Sequence, residues 1–319
     1  MTDFDGDGCE DFASPHEFGT VDGERSAGHV GVVYGPATAG RPRTQVISQN
    51  SPGVPDRAER NDSFGANPAT GDLDGDGYTD PVVSADGEFR GPDRMVLWGG
   101  PRGLSGGTAI DLRGGPAVTG DFDGEGHLDL ASAETVAHGP ITRRGRAART
   151  AEITVQTREH PVDEDELEVW ETFALAAGDV NGDGIADLLA TAWVDYDGEL
   201  VGTPFLLYLR GTPDGLAKPK AVENSKGKDL RAGQALATGD LDGDGFDDVL
   251  FGDIYDSDNG RVGVVRGSAS GPDGADAAVV SPSPSTSPTA RAEPKSLSAL
   301  LARGPAGSQP CFIEVPKYR

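Results

Sequence analysis

One acidic motif of nine residues recurs five times along the 319-residue chain, and it constrains the fold more than any other feature. The copies begin at Asp3 (DFDGDGCED), Asp72 (DLDGDGYTD), Asp121 (DFDGEGHLD), Asp179 (DVNGDGIAD) and Asp240 (DLDGDGFDD). Each carries a carboxylate or amide at motif positions 1, 3, 5 and 9, with glycine at 4 and 6. Alternate oxygens on a chain turned by two glycines converge on one point. Such a cage suits a hard cation with about six to eight oxygens at about 2.3–2.6 Å, and Ca²⁺ fits it better than Mg²⁺. The side-chain ligands on this reading are Asp3, Asp5, Asp7 and Asp11; Asp72, Asp74, Asp76 and Asp80; Asp121, Asp123, Glu125 and Asp129; Asp179, Asn181, Asp183 and Asp187; and Asp240, Asp242, Asp244 and Asp248. Position 7 would offer its backbone carbonyl, from Cys9, Tyr78, His127, Ile185 and Phe246. Nothing is then required of those five side chains, which accounts for their variety. Up to five Ca²⁺ ions are expected.

The opening of the loop matches an EF-hand, which needs a bidentate Glu at position 12 and a flanking helix on each side. Position 12 is instead Ser14, Val83, Ser132, Ala190 and Phe251. The residues after position 9 are short apolar runs, such as Val249-Leu250-Phe251, bounded by Gly and Asp. Runs of this kind read as buried strands. Each loop therefore enters a strand, and the Asp at position 9 closes the cage. A single Asp-Gly-Asp-Gly is ordinarily a solvated turn; five copies on one template are not.

A repeat at this spacing makes one domain of like units. The 47 Gly, 23 Pro and 36% hydrophobic residues suit many short strands and turns. The net charge of −26 is in large part the chemistry of the loops. It argues against a nucleic-acid partner, which would want a basic face. No apolar run is long enough for a membrane-spanning helix, and no signal peptide is recognisable. Met1 stands two residues before the first ligand, so the natural start is expected upstream. The two cysteines, Cys9 and Cys311, do not imply a disulfide by their spacing, and Cys9 reads as a bystander.

A second pattern recurs between the loops: residues 28–35 (GHVGVVYG), 93–99 (DRMVLWG), 205–211 (FLLYLRG) and 260–267 (GRVGVVRG). Alternation stopped by glycine marks strands. A third element precedes the loops, Phe64-Gly65 and Ala232-Gly233, with weaker equivalents at Gly114-Gly115 and Phe173-Ala174. One unit is then an inner strand, the loop, a strand after it, the Val-rich strand and an outer strand. That is a four-stranded antiparallel blade, and the expected fold is an all-β propeller.

These residues resemble the FG-GAP repeats of integrin alpha-chain-like β-propellers, especially the secreted actinobacterial type. The resemblance covers about residues 1–272, and the acidic loop is its most specific part. It implies Ca²⁺ on loops at one rim, an extracellular or cell-envelope location, and a role in binding or adhesion toward a protein or carbohydrate ligand. The family often has seven blades, so five units mean either a small propeller or part of a larger one. The Gly-Ala-Pro triplet of the family is degraded, with Ser84-Ala85-Asp86 and Gly252-Asp253-Ile254 in its place. The third unit is the poorest, its Val-rich strand being reduced to residues 152–156. Residues 133–170 read as an inserted surface loop, with Arg143, Arg144, Arg146 and Arg149 followed by an acidic run from Asp163 to Glu168.

The domain boundaries expected are 1–275 for the repeats and 276–319 for a Pro/Ser-rich linker and disordered tail. Nothing in the tail reads as the strand that would finish the fifth blade. The five histidines form no zinc-protease spacing, and no nucleophile elbow or phosphate loop occurs. A non-enzymatic binding module is the leading expectation. Two alternatives stay open: a propeller hydrolase or lyase acting on polysaccharide, and a non-functional remnant of a longer protein. Among the loops, the third is expected to bind Ca²⁺ most weakly, because Glu125 is one methylene longer than Asp7, Asp76, Asp183 and Asp244.

Overall fold

Every copy of the motif runs into a strand. The structure is a computed structural model that describes residues 2–280, except 36–41, 88–92, 114, 154, 156–167, 197–198, 201–203, 228–229, 231, 234 and 254–260. The described residues form five antiparallel sheets, arranged as propeller blades. The first holds β1 (Phe12–His16), β2 (His29–Tyr34) and β3 (Arg43–Ile47). The second holds β4 (Phe64–Gly71), β5 (Asp80–Ala85), β6 (Arg94–Trp98) and β7 (Ser105–Ala109). The third holds β8 (Val118–Gly120), β9 (Asp129–Ala131), β10 (Thr135–His138) and β11 (Arg149–Glu152).

The fourth sheet is built from β12 (Glu168–Gly178), β13 (Asp187–Tyr196), β15 (Phe205–Leu209) and β16 (Lys220–Ala221), with β14 (Glu199–Leu200) paired to β13. The fifth is β17 (Leu236–Gly239), β18 (Asp248–Asp253), β19 (Arg261–Arg266) and β20 (Asp273–Val280). Each acidic loop joins the inner strand of a sheet to the next, as β4 to β5 and β17 to β18; in the first sheet the described strands begin after the loop.

Two expectations are corrected here. β20 pairs with β19 and supplies the outer strand of the fifth sheet, so the boundary at 275 cuts through a strand. The segment is hard to read in the sequence because its alternation of Ala with Asp and Gly carries little apolar contrast. In the third unit Glu152, expected to open the Val-rich strand, instead ends the outer strand β11. The place of the Val-rich strand is taken by β10, only four residues long, whose partner β11 begins at Arg149 inside the supposed insertion. The acidic run at 163–168 lies outside the described residues, apart from the backbone of Glu168.

The core lies between sheets rather than within them. Four buried clusters fill the junctions, each drawing on two neighbouring sheets. Phe4, Tyr34, Phe64 and Met95 join the first sheet to the second. Leu73, Trp98, Leu130 and Ile141 join the second to the third. Phe122, Val136, Leu188 and Leu207 join the third to the fourth. Val180, Leu206, Val249 and Phe251 join the fourth to the fifth. The large apolar side chains left exposed are Phe12, Phe18 and Val46 in the region of the first sheet and Leu241 and Val262 in that of the fifth. Phe4, Leu73, Phe122 and Val180, at motif position 2, are buried, whereas Leu241 at the same position is 54% exposed. A position-2 side chain is buried when its loop is followed by another sheet, and Leu241 is in the last loop.

Candidate metal centres

The position-9 aspartate does the same structural work in every loop. Asp80 accepts the backbone N–H of Leu73 at 3.1 Å with one oxygen and that of Gly99 at 2.8 Å with the other. Asp11 does so with Phe4 and Gly35, Asp129 with Phe122 and Gly139, Asp187 with Val180 and Gly211, and Asp248 with Leu241 and Gly267. It thus ties motif position 2 to the glycine that ends the Val-rich strand of the same sheet. All five are buried. Burial pushes the Asp80 carboxyl up to about 7 against the two backbone N–H bonds that favour its charged form. It pushes Asp187 up to about 6, and Asp11 and Asp129 are raised for the same first reason.

The position-1 aspartates shape the turn. Asp72 accepts N–H groups from Gly75, Asp76 and Gly77, and Asp240 accepts them from Gly243, Asp244 and Gly245. At position 5, Asp7, Asp76, Asp183 and Asp244 each accept the N–H of the residue two further on. Glu125 is exposed, and no such bond ties it to His127. With positions 1 and 5 bound back to the turn, oxygens converge. Ligand atoms of Asp3, Asp5 and Asp11, of Asp72, Asp74 and Asp80, and of Asp240, Asp242 and Asp244 lie within 4.8 Å of one another. In the first of these Asp5 Oδ1 is buried and has no hydrogen-bond partner. These three loops offer the oxygen donors that Ca²⁺ takes, with the group of the fifth loop exposed to solvent. In the fourth loop Asn181 instead turns its amide nitrogen to both oxygens of Asp187, at 3.0 Å each.

The loops are also stitched to one another, which the sequence did not reveal. Backbone N–H groups of Thr79, Ala186 and Asp247, at position 8, donate to the carbonyls of Asp3, Asp121 and Asp179 at position 1 of the preceding loop. Position 7 is not free of demands. A Cβ placed on Gly6 would lie 2.6 Å from the Tyr78 ring, one on Gly182 2.6 Å from Phe246, and one on Gly124 3.0 Å from Ile185. In these three loops the glycine at position 4 therefore serves a positive φ and makes room for the next loop's side chain, whereas Gly75 and Gly243 have open space there. Cys9 is buried and is not a free thiol.

Each loop receives an arginine. Arg43 bonds Asp5 at 2.7 Å; Arg143 bonds Asp74 at 2.7 Å and Asp76 at 2.5 Å; Arg149 bonds Asp123 at 3.1 Å. Arg210 bonds Asp183 at 2.7 Å, and Arg266 bonds Asp242 at 2.9 Å and Asp248 at 2.6 Å. The residue before the strand-ending glycine governs how the arginine arrives. In the fourth and fifth sheets that residue is itself Arg210 or Arg266. In the first two it is aromatic, with Arg43 3.7 Å over the Tyr34 ring and Arg143 5.5 Å over Trp98. In the third it is His138, paired across strands with Arg149 as Tyr34 is with Arg43. Two of the arginines assigned to a bland surface insertion, Arg143 and Arg149, thus cap acidic loops. All five arginine side chains are about half exposed, so solvent screens these pairs.

No protein-family model matches the chain. Over 169 residues it is 31% identical to integrin alpha-PS2 of Drosophila melanogaster, an alignment covering 49% of this chain and 12% of the integrin. The chain thus spans a small part of that relative. Among solved structures, the rhamnogalacturonan lyase YesW aligns at 13% identity and a TM-score of 0.31, covering 77% of this chain and 56% of the lyase. The exotype rhamnogalacturonan lyase YesX aligns at 15% and 0.31, covering 82% and 56%. The five sheets define an all-β propeller, of which 169 residues are similar in sequence to an integrin alpha chain. Among the described residues no helix is long and apolar enough to cross a membrane.

Proposed function

We propose that the chain is a Ca²⁺-binding, extracellular propeller module that binds a protein or carbohydrate ligand and performs no catalysis. The observation that carries it is the convergence of three carboxylates within 4.8 Å in the first, second and fifth loops. Backbone amides hold most of those carboxylates in place before any ion arrives, and Arg43 and Arg266 bond Asp5 and Asp242. The likeness to an integrin alpha chain supports the surface location and the binding role. Bound Ca²⁺ would take its oxygens from motif positions 1, 3, 5, 7 and 9, and the half-exposed arginines can swing out as it enters. The rim of stitched loops would then stiffen as one unit.

The test is thermal unfolding of the full chain in Ca²⁺ and in EDTA. A site bound only in the folded state adds about 2.7 kcal/mol at a hundredfold excess over Kd, so Ca²⁺ should raise the melting temperature markedly. Overlaid curves would overturn the assignment.

One feature favours a second, enzymatic reading. A cavity of about 440 Å³ lies at the end of β1 away from its loop, lined by His16, Glu17, Phe18, His29 and Asn67. The imidazoles of His16 and His29 stack with centroids 5.0 Å apart, and burial pushes His29 down from its ordinary value. A general base with an acid partner could be built there. Release of new sugar ends from acidic polysaccharides, abolished by His29→Ala, would favour this reading over the binding module.

A further inference from the structure

The third loop departs from the others in the donor set it assembles. Its position-3 and position-9 carboxylates, Asp123 and Asp129, converge on the Nδ1 of His138, at 2.9 and 3.1 Å. The three side chains are 3%, 1% and 3% exposed, and their ligand atoms lie within 4.8 Å of one another. No other loop brings a nitrogen donor of this kind to its carboxylates among the described residues. One imidazole N–H cannot serve two carboxylates fully, whereas a divalent ion between the three atoms would bond each of them. In the same loop Asp121 Oδ1 is buried without a hydrogen-bond partner, and Glu125 stands in solvent.

Donor chemistry separates this loop from a Ca²⁺ site. Calcium takes about six to eight oxygens; this loop offers three internal carboxylates and a nitrogen. Imidazole suits Zn²⁺, Cu²⁺, Ni²⁺ and iron, while carboxylate and carbonyl oxygens alone suit Ca²⁺ and Mg²⁺. Size agrees. A tetrahedral ion with bonds of about 2.1 Å keeps its ligand atoms about 3.4 Å apart, so the observed 2.9 and 3.1 Å need open only by a few tenths of an ångström. The frame is also held. Asp129 is fixed by the N–H groups of Gly139 and Phe122, which orients a ligand as outer hydrogen bonds do at established metal sites. Arg149, on Asp123 at 3.1 Å and half exposed, is free to move aside.

We propose that Asp123, Asp129 and His138 form a site for a zinc-type divalent ion, with Asp121 or water completing four ligands, in a protein whose other loops are oxygen-only. The inference deepens the reading of the loops as cation sites. The probe is Co²⁺, added to metal-stripped full-length protein. One equivalent should bind with the intense visible bands of a four-coordinate ion. A hundredfold molar excess of Ca²⁺ should leave those bands in place. His138→Gln should weaken Co²⁺ binding at least about tenfold while the Ca²⁺-induced rise in melting temperature stays. Bands that vanish on adding Ca²⁺, or that persist unchanged in His138→Gln, would overturn the site. The Ca²⁺ competition uses the unaltered protein, so it decides the matter even where the variant fails to fold. A Ca²⁺ rise in melting temperature without Co²⁺ bands sinks this inference alone. Co²⁺ bands without any Ca²⁺ effect would leave the zinc-type site standing and remove the calcium reading of the other loops.

Discussion

The second and third loops share a template and sit in adjacent sheets, yet they differ in kind. In the second, position 5 is Asp76, bonded back to Tyr78, and the residue before the strand-ending glycine is Trp98, over which Arg143 lies. In the third, position 5 is Glu125, exposed, and the residue before the glycine is His138, in contact with both Asp123 and Asp129. The same backbone frame survives in both, because it depends on the position-9 aspartate and two glycines. What changes is the charge presented to an ion. The comparison separates two jobs: building the turn, which the structure shows, and choosing the cation, which the proposed function assigns to the loops.

Breaking the frame should have the largest effect. Asp80→Ala and Asp129→Ala each leave two buried N–H groups without an acceptor, at about 1–3 kcal/mol apiece. Each should lose roughly 2–6 kcal/mol of stability in EDTA, measured by denaturant unfolding. A loss in Asp80→Ala that appears only when Ca²⁺ is present would mean the residue is a ligand and not a staple.

A smaller effect tests the stitching. Gly75 has φ +76 and open space where a Cβ would stand, whereas Gly124 has φ +70 and Ile185 3.0 Å from that point. Gly75→Ala should cost about 1–2 kcal/mol for the left-handed backbone alone. Gly124→Ala should cost about 1 kcal/mol more, through crowding of Ile185. Equal losses in thermal unfolding would argue that the loops do not bear on one another.

The cation choice shows in the difference between alanine variants. Asp74→Ala should lose about 2.7 kcal/mol of the stability that saturating Ca²⁺ adds. Asp123→Ala should lose almost none of it, since its loop contributes little Ca²⁺ binding. Glu125→Asp should tighten that weak Ca²⁺ site, a change to be read by calorimetric titration. If Asp123→Ala removes the tightest Ca²⁺ event, the contrast between the loops is wrong.

The pH dependence supplies a further contrast between the metal-free and the Ca²⁺-loaded protein. Asp80 and Asp187 keep their protons in the metal-free folded state up to about 7 and about 6, whereas the unfolded chain loses them near the ordinary 3.8. Over that interval the folded state binds more protons, so metal-free stability should fall as pH rises from about 4 to 7. In Ca²⁺ the ion competes with those protons, so its added stabilisation should grow over the same interval. Melting temperatures in EDTA and in Ca²⁺ across this range should therefore converge in acid and separate toward neutral pH.

Much of this was legible in the sequence because the loop is local. Asp72 to Asp80 lie within nine residues, and two glycines at fixed positions dictate their convergence. The Val-rich strands are legible for a similar reason, as alternation ended with glycine, except in the third unit, where β10 is only four residues long. What escaped notice comes from afar. Arg143 reaches Asp74 from 69 positions away, and nothing in its surroundings marks it as a cap. His138 lies nine residues past Asp129, on a strand too short to show a period. Its signal was positional: it stands directly before a glycine, where Tyr34, Trp98, Arg210 and Arg266 stand in the other units. Three of the position-7 side chains, Tyr78, Ile185 and Phe246, read as idle in the sequence because each meets a glycine of a different loop.

The central claim is that these acidic loops are built to hold cations, with Ca²⁺ at the oxygen-only ones. Isothermal titration of Ca²⁺ into metal-stripped full-length protein tests it most directly. Saturable binding of more than one ion is expected, weakened by Asp74→Ala and by Asp242→Ala and left nearly intact by Asp123→Ala. Absence of saturable heat at millimolar Ca²⁺, with the folded protein confirmed by its melting transition, would contradict it.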